Sequence, residues 1–189
     1  MDFQQIYPLT SDRLPGLEAL FGAHGAFGGC WCMFFRLSNK DWGAQSGEER
    51  KAGLHRIVDS GTAPGLLAYD GEKPVGWISL GPRPDFKRLE RSRTAKPIDD
   101  QPVWSVVCFF VEKSYRRKGL TVALLKAGID FARQHGAVIV EGYPVDAAGD
   151  KPDPWVYQGL VGAFKKAGFI EAGRHLENRP IMRYYMEPK

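Results

Sequence analysis

Val103-Trp104-Ser105-Val106-Val107-Cys108-Phe109-Phe110-Val111, followed after a short spacer by Arg116-Arg117-Lys118-Gly119-Leu120-Thr121, decides how this chain is read. The first run is nearly all apolar, as a strand at the centre of a sheet covered on both faces must be. The second is a basic turn that opens into a helix over Gly119 to Gln134. There Leu120, Leu124, Ala127 and Phe131 recur along one face, and Gly136 closes the segment. Strand, turn and helix in this order build an anion site. The first N–H groups of a helix lack intrahelical partners, and its dipole places about half a positive charge there. Gly119 lets a ligand come close to the backbone, while Arg116, Arg117 and Lys118 add charge. A diphosphate suits such a place.

Two common nucleotide motifs share this order of parts, and both are excluded. A P-loop needs G-x-x-x-x-G-K-[ST], whereas here lysine precedes glycine and no glycine stands five residues earlier. A Rossmann fingerprint needs G-x-G-x-x-G, which the turn lacks. What remains is R-x-x-G-x-[small], seen as Arg116, Gly119 and Thr121 behind a valine-rich strand. This resembles motif A of the GNAT superfamily of acyl-CoA-dependent N-acyltransferases, in which the turn's backbone cradles the coenzyme A pyrophosphate. Thr121 departs mildly from the Gly or Ala usual in that family.

The order of elements along the chain extends the resemblance. Phe3 to Leu9 reads as a strand, and Thr10, Ser11 and Asp12 offer N-caps for a helix ending near Gly22. Gly25 to Asp41 reads as irregular and aromatic, and Glu48 to Ser60 as a second helix. Leu66–Tyr69 and Val75–Leu80 flank a hairpin turn. A charged, proline-rich loop from Gly81 to Pro102 then precedes the central strand. After the basic-turn helix, Ala137 to Glu141 reads as a strand parallel to the central one. Asp153 and Pro154 start a last helix, with Trp155, Val161 and Phe164 on its apolar face and Gly168 at its end. Phe169–His175 and Ile181–Met186 close the chain as two strands. The reading is one α/β domain over residues 1–189, with a mixed, mostly antiparallel sheet and a central parallel strand pair flanked by helices. Its order, β-α-α-β-β-β-α-β-α-β-β, is similar to the GNAT fold.

The resemblance implies a function: transfer of an acetyl group from acetyl-CoA to a primary amine, by direct attack on the thioester. It implies that Arg116, Arg117, Lys118, Gly119, Leu120 and Thr121 bind the coenzyme. It also implies that the backbone of Phe109, Phe110 and Val111 receives the pantetheine arm and the acyl carbonyl. Two side chains frequent in the family are missing, since Ser105 stands where a basic Glu is usual and Phe164 where an acidic Tyr is usual. The candidate base is instead Glu141, at the C-terminal end of a buried parallel strand, where open α/β sheets place ligands. A structural pairing of the same carboxylate is the alternative. Tyr157, placed one to two turns before Phe164 on the last helix, is the candidate acid. The acceptor is an amine of a small molecule or a protein.

Between the first two helices, Gly28-Gly29-Cys30-Trp31-Cys32-Met33-Phe34-Phe35-Arg36 reads as an aromatic wall of the acceptor pocket. Trp31, Phe34 and Arg36 are its contact residues, Arg36 being suited to a carboxylate or phosphate; core packing is the equal alternative. Cys30, Cys32 and His24 have no second half of a zinc site, so no metal is expected. Cys108 reads as a structural thiol, with a covalent acyl-enzyme as the minor alternative. The loop residues Arg83, Lys87, Arg88, Arg91, Arg93 and Lys96 read as a solvated, partly mobile segment, with steering of an anionic acceptor as the alternative.

Composition sets the outer limits. The chain has 189 residues, 43% hydrophobic and 25% charged, with a net charge of +4, values of an ordinary single globular domain. Such mild basicity permits anionic ligands without pointing to nucleic acid. Three cysteines that cannot all pair, and a first segment without basic and apolar signal regions, suggest a reducing, cytoplasmic setting. No run of apolar residues suits a membrane span. Oligomeric state is left open, a homodimer included. Two rivals accompany the transferase: a non-catalytic acyl-CoA-binding regulatory module, and a nucleic-acid-binding protein working through the loop and turn cations.

Overall fold

The structure, a computed structural model, describes residues 5–146 and 156–187. The expected positions of Asp153, Pro154 and Trp155 lie outside the described residues, as does the start of the first strand. A seven-stranded sheet runs in the order β1-β2-β3-β4-β5-β7-β6. Its strands are β1 (Ile6–Pro8), β2 (Gly65–Asp70), β3 (Lys73–Pro82), β4 (Trp104–Val111), β5 (Ile139–Gly142), β6 (Ile170–Leu176) and β7 (Arg179–Tyr185). β4 and β5 are parallel, and the other neighbours are antiparallel. The α/β class and the central parallel pair are as the sequence reads.

The helices are α1 (Leu14–Phe21), α2 (Asn39–Ala44), α3 (Gly47–Asp59), α4 (Leu120–Gln134) and α5 (Val161–Lys166). α3 starts with a reciprocal cap: Ser46 Oγ accepts from the Glu49 N–H and Glu49 Oε2 accepts from the Ser46 N–H. α2 interrupts the segment read as irregular, because Ser38 Oγ caps the Asp41 N–H. α5 is shorter than the sequence reading, since Gly159 has φ +85°, a left-handed value no α-helix tolerates in its interior.

Alternation along the strands feeds two faces. Leu66, Ile78, Leu80, Val106, Phe109, Val140 and Met182 pack beneath α4 and α5. Leu67 and Trp77 face the opposite way, against α1, α3 and the 30–33 segment. The long β3–β4 connection corrects an expectation. Phe86, Leu89 and Ala95 are buried in it and pack with Phe35, Val107, Tyr143 and Ile181, so it is a fixed layer over β4, β5 and β7 rather than a mobile loop. Among the described residues no helix is long and apolar enough to cross a membrane.

Candidate active site

β4 and β5 pair only at Trp104↔Val140, Ser105↔Glu141 and Val106↔Gly142, and beyond that they part. Phe164, fully buried, seats its ring against Gly142, where an added Cβ would lie 2.2 Å from the Phe164 Cε1. The same ring meets Phe109 edge-on at 6.1 Å. Phe164 thus closes one side of the wedge as packing, without a polar atom to offer. Higher in the wedge the Phe109 N–H donates to the Tyr157 carbonyl at 2.6 Å.

At the end of β4, Glu112 caps a short 3-10 turn over Lys113–Tyr115 by accepting from the Ser114 N–H. The chain then alternates: Arg116 is extended, Arg117 has φ +61° and Gly119 has φ +87° before α4 begins. Left-handed residues in such a turn bring successive N–H groups onto one concave side, a nest for anions. The first intrahelical bonds run to the Gly119 carbonyl from Val122 and Ala123, so the N–H groups of Leu120 and Thr121 precede the helical ladder. A Cβ built on Gly119 meets nothing within 4 Å, which leaves the backbone open in front of it. Arg116, Arg117 and Lys118 are exposed around this opening. Arg116 Nε also donates to the Val111 carbonyl at 3.1 Å, tying the turn to the strand end. The Leu120 side chain is buried in the core, so Leu120 offers its backbone alone. These residues fit a coenzyme diphosphate: open backbone donors, a helix start and three cations.

Glu141 lies elsewhere in character. It is 1% exposed and fully engaged: Oε1 accepts from Arg83 Nη1 at 3.1 Å and the Tyr143 hydroxyl at 2.7 Å, and Oε2 accepts from Arg183 Nε at 2.7 Å. Arg183 continues as a two-pronged pair to Asp99, at 2.6 and 2.9 Å. Arg83 reaches the Ala95 carbonyl at 2.5 Å, and Ser105 Oγ meets the Tyr143 hydroxyl at 2.9 Å. Burial beside Glu141 pushes the Tyr143 phenol well above its ordinary range. The network clamps the β3–β4 layer to the sheet. Glu141 is its keystone, and in this geometry its carboxylate has no open side toward an acceptor; the structural pairing is what the structure shows.

Tyr157 is not on a helix but in the turn before α5. Its ring lies 6.2 Å from that of Phe35, and burial raises its phenol above the ordinary value, with Arg179 and Arg88 opposing. The expected acceptor wall divides. Trp31 is 5% exposed and packs on Phe21, one edge lining a surface cavity of about 390 Å³ with His24 and Glu48. Arg36 is 8% exposed, lies over the Phe86 ring and is paired with Asp85 at 3.6 Å, so its charge is already answered within the fold. Phe34 is half-buried, meets the rings of Phe35 and Trp42, and lies under the guanidinium of Arg88. Arg88, one of six cations that the sequence places in the loop, is set apart by this stacking.

The three cysteines are free thiols. Trp77 Nε1 donates to Cys32 Sγ at 2.9 Å, and Cys32 meets the Cys108 thiol, which with burial raises it well above the usual range. Burial, followed by the nearby Cys32, pushes Cys30 up to about 11. Among the described residues, no group of three or more His, Cys, Asp or Glu side chains is gathered to hold a metal.

Residues 31–147 match the family described as the acetyltransferase (GNAT) family. No curated protein sequence matches the chain. Among solved structures, the fold is similar to PaiA N-acetyltransferase from Thermoplasma acidophilum in complex with coenzyme A. That match has 16% identity and a TM-score of 0.51, and covers 96% of this chain and 98% of the other. A mosquito arylalkylamine N-acetyltransferase-like protein is similar at 13% identity and TM-score 0.57, covering 96% and 99%. An acetyltransferase from Streptococcus agalactiae is similar at 12% identity and TM-score 0.57, covering 100% and 99%. At these identities the likeness is one of fold.

Proposed function

The chain belongs to the GNAT family of acetyltransferases, whose donor is acetyl-CoA, and from that premise we propose that it acetylates a primary amine by direct attack on the thioester. The observation that carries the reading is the open nest at Arg116–Thr121, set where β4 and β5 have just parted. In this reading the N–H groups of Gly119, Leu120 and Thr121, with Arg116, Arg117 and Lys118, hold the diphosphate. The edge of Phe109, Phe110 and Val111 aligns the pantetheine arm and acyl carbonyl through backbone groups. The donor, when bound, supplies an acyl group activated on sulfur.

Tyr157 stands beside Phe109 as the acid for the departing thiolate. Its raised phenol keeps its proton at neutral pH, as a donor must. An alkylammonium is only about one part in a thousand free base at pH 7, a handicap of about 4 kcal/mol. With Glu141 engaged by three donors, that proton goes to water before attack, and Glu141 holds the floor of the cleft in place.

One observation favours the second reading, a coenzyme-binding module without catalysis: the Phe109 N–H, where the acyl carbonyl is to be received, is bonded to Tyr157. Thiol release from acetyl-CoA across a panel of amines, with coenzyme binding by calorimetry, separates the two. The transferase gives amine-dependent release that Tyr157→Phe lowers while binding persists. Gly119→Val, which forces a branched side chain to φ +87°, loses both. Binding without release for any amine establishes the module, and no binding at all overturns both readings.

A further inference from the structure

Arg88 is a guanidinium held in place with no carboxylate to answer it among the described residues. It projects from the 3-10 turn Lys87–Arg91. Its backbone N–H donates to the Phe35 carbonyl at 3.1 Å and its Nε to the Phe34 carbonyl at 2.7 Å. The guanidinium carbon stacks 3.9 Å above the Phe34 ring and 5.8 Å from that of Trp42. These contacts fix the group's plane and use one edge of it. Nη2 is shielded from solvent and has no hydrogen-bond partner. Among the described residues no carboxylate lies within ion-pairing distance of Arg88, whereas Arg36, Arg83 and Arg183 all have one.

The location gives this meaning. Burial depresses its basicity, and the neutral Tyr157 and Cys30 lie close enough to act on it. Tyr157 in turn is bonded through its carbonyl to Phe109, on the edge where the acyl group is received in the reading above. A second guanidinium, Arg179, also acts on Tyr157 and donates to Gln158 Oε1 at 2.9 Å. The rings that connect Arg88 to Tyr157 are aromatic: Phe34 meets Phe35 at 5.1 Å, and Phe35 meets Tyr157 at 6.2 Å. A plain alkylammonium would meet two cations here. An amine that brings a carboxylate offers the fork its natural partner and cancels that repulsion.

Resting on the transferase reading, we propose that Arg88 binds the carboxylate of the acceptor, and that the acceptor is an amino acid with an apolar or aromatic body. A half-buried, pre-oriented fork left unpaired by a ligand lacking the carboxylate discriminates by about tenfold or more. The test is kcat/KM for matched pairs that differ in the carboxylate: L-phenylalanine against 2-phenylethylamine, and L-leucine against 3-methylbutylamine. The wild type prefers the carboxylated member of each pair by about tenfold or more, and in Arg88→Gln the ratio falls to near one. Arg88→Lys, which keeps the charge and loses the fork, lies between, and circular dichroism confirms that both variants fold. No preference in the wild type, or a preference that survives Arg88→Gln, overturns the proposal. If no amine releases thiol, the transferase reading fails separately. The subsite is then judged by calorimetry with L-phenylalanine alone: saturable binding lost in Arg88→Gln supports it, and absence of binding overturns it.

Discussion

The Phe109 N–H and the Tyr157 carbonyl are joined at 2.6 Å, so the segment before α5 completes the edge of β4 where β5 has turned away. A ligand that hydrogen-bonds to that edge must displace Tyr157. Hydrogen–deuterium exchange with and without acetyl-CoA should show faster exchange over residues 156–160 and slower exchange over residues 116–123. Unchanged exchange over 156–160 with protected 116–123 would mean that the donor leaves this contact intact.

Replacement of Glu141 by Gln puts an amide N–H₂ against one of two guanidinium groups. Breaking a buried charge network by removing one partner costs about 3–5 kcal/mol. Urea denaturation should therefore register a large loss for Glu141→Gln, greater than the change in turnover of the folded enzyme. Lost turnover at unchanged stability would instead restore the carboxylate to the chemistry.

Acid should weaken the fold through the same network and through the separate cluster of Glu18, Lys51 and His55. The Arg183 hydrogen bonds hold the Asp99 carboxyl below its ordinary value of 3.8, and Lys51, then His55, hold Glu18 below 4.5. Carboxyls with depressed folded values protonate first in the unfolded chain, so their stabilisation is full above the unfolded values and is lost as pH falls through the folded ones. The melting temperature is expected to be level down to about pH 5 and to fall below about pH 4. Asp99→Asn should start lower and fall less steeply; an identical acid profile in that variant would remove Asp99 from the account.

The legible part of the fold was the part with local causes. β4 is apolar because both of its faces are covered, and α4 announces itself by its apolar stripe and by Gly119 and Gly136 at its ends. α2 had a readable signal in Ser38 three residues before Asp41, but six residues carry too little periodicity to stand out. The charged β3–β4 connection looked solvated because the partners of Phe86 and Leu89, such as Phe35 and Ile181, lie far away in sequence. Glu141 stands at the expected end of its strand, but the partners of its structural pairing are not legible for the same reason: Arg83 and Arg183 come from 58 and 42 residues away. Strand alternation alone does put Glu141 and Tyr143 on one face. Arg36 and Arg88 were indistinguishable as letters; the nearby Asp85 neutralises one and leaves the other.

Thiol chemistry should follow burial. With Cys30 pushed up to about 11, only about one Cys30 in a thousand is thiolate at pH 8, and the Cys108 thiol and burial raise Cys32 as well. Peptide mass spectrometry after brief treatment with an aromatic disulfide reagent should find Cys30 and Cys32 unmodified in native protein and modified in urea. The native rate should climb with each unit of pH toward 11. Rapid native labelling of either residue at pH 8 would contradict the raised thiols.

The short parallel contact of β4 with β5 has a kinetic meaning. Antiparallel neighbours such as β2–β3 and β6–β7 are close in sequence and can zip from their turns, whereas β4–β5 must wait for the whole α4 crossover to close. The side-chain bonds that secure this junction join residues 42, 58 and 84 positions apart, so their entropy is met late in the search for the native state. Substitutions in them should leave the refolding limb of a chevron plot nearly in place and steepen the loss of the native state on the other limb. The clamp at the floor of the cleft is thus what sets how long a folded molecule lasts, more than how quickly one forms.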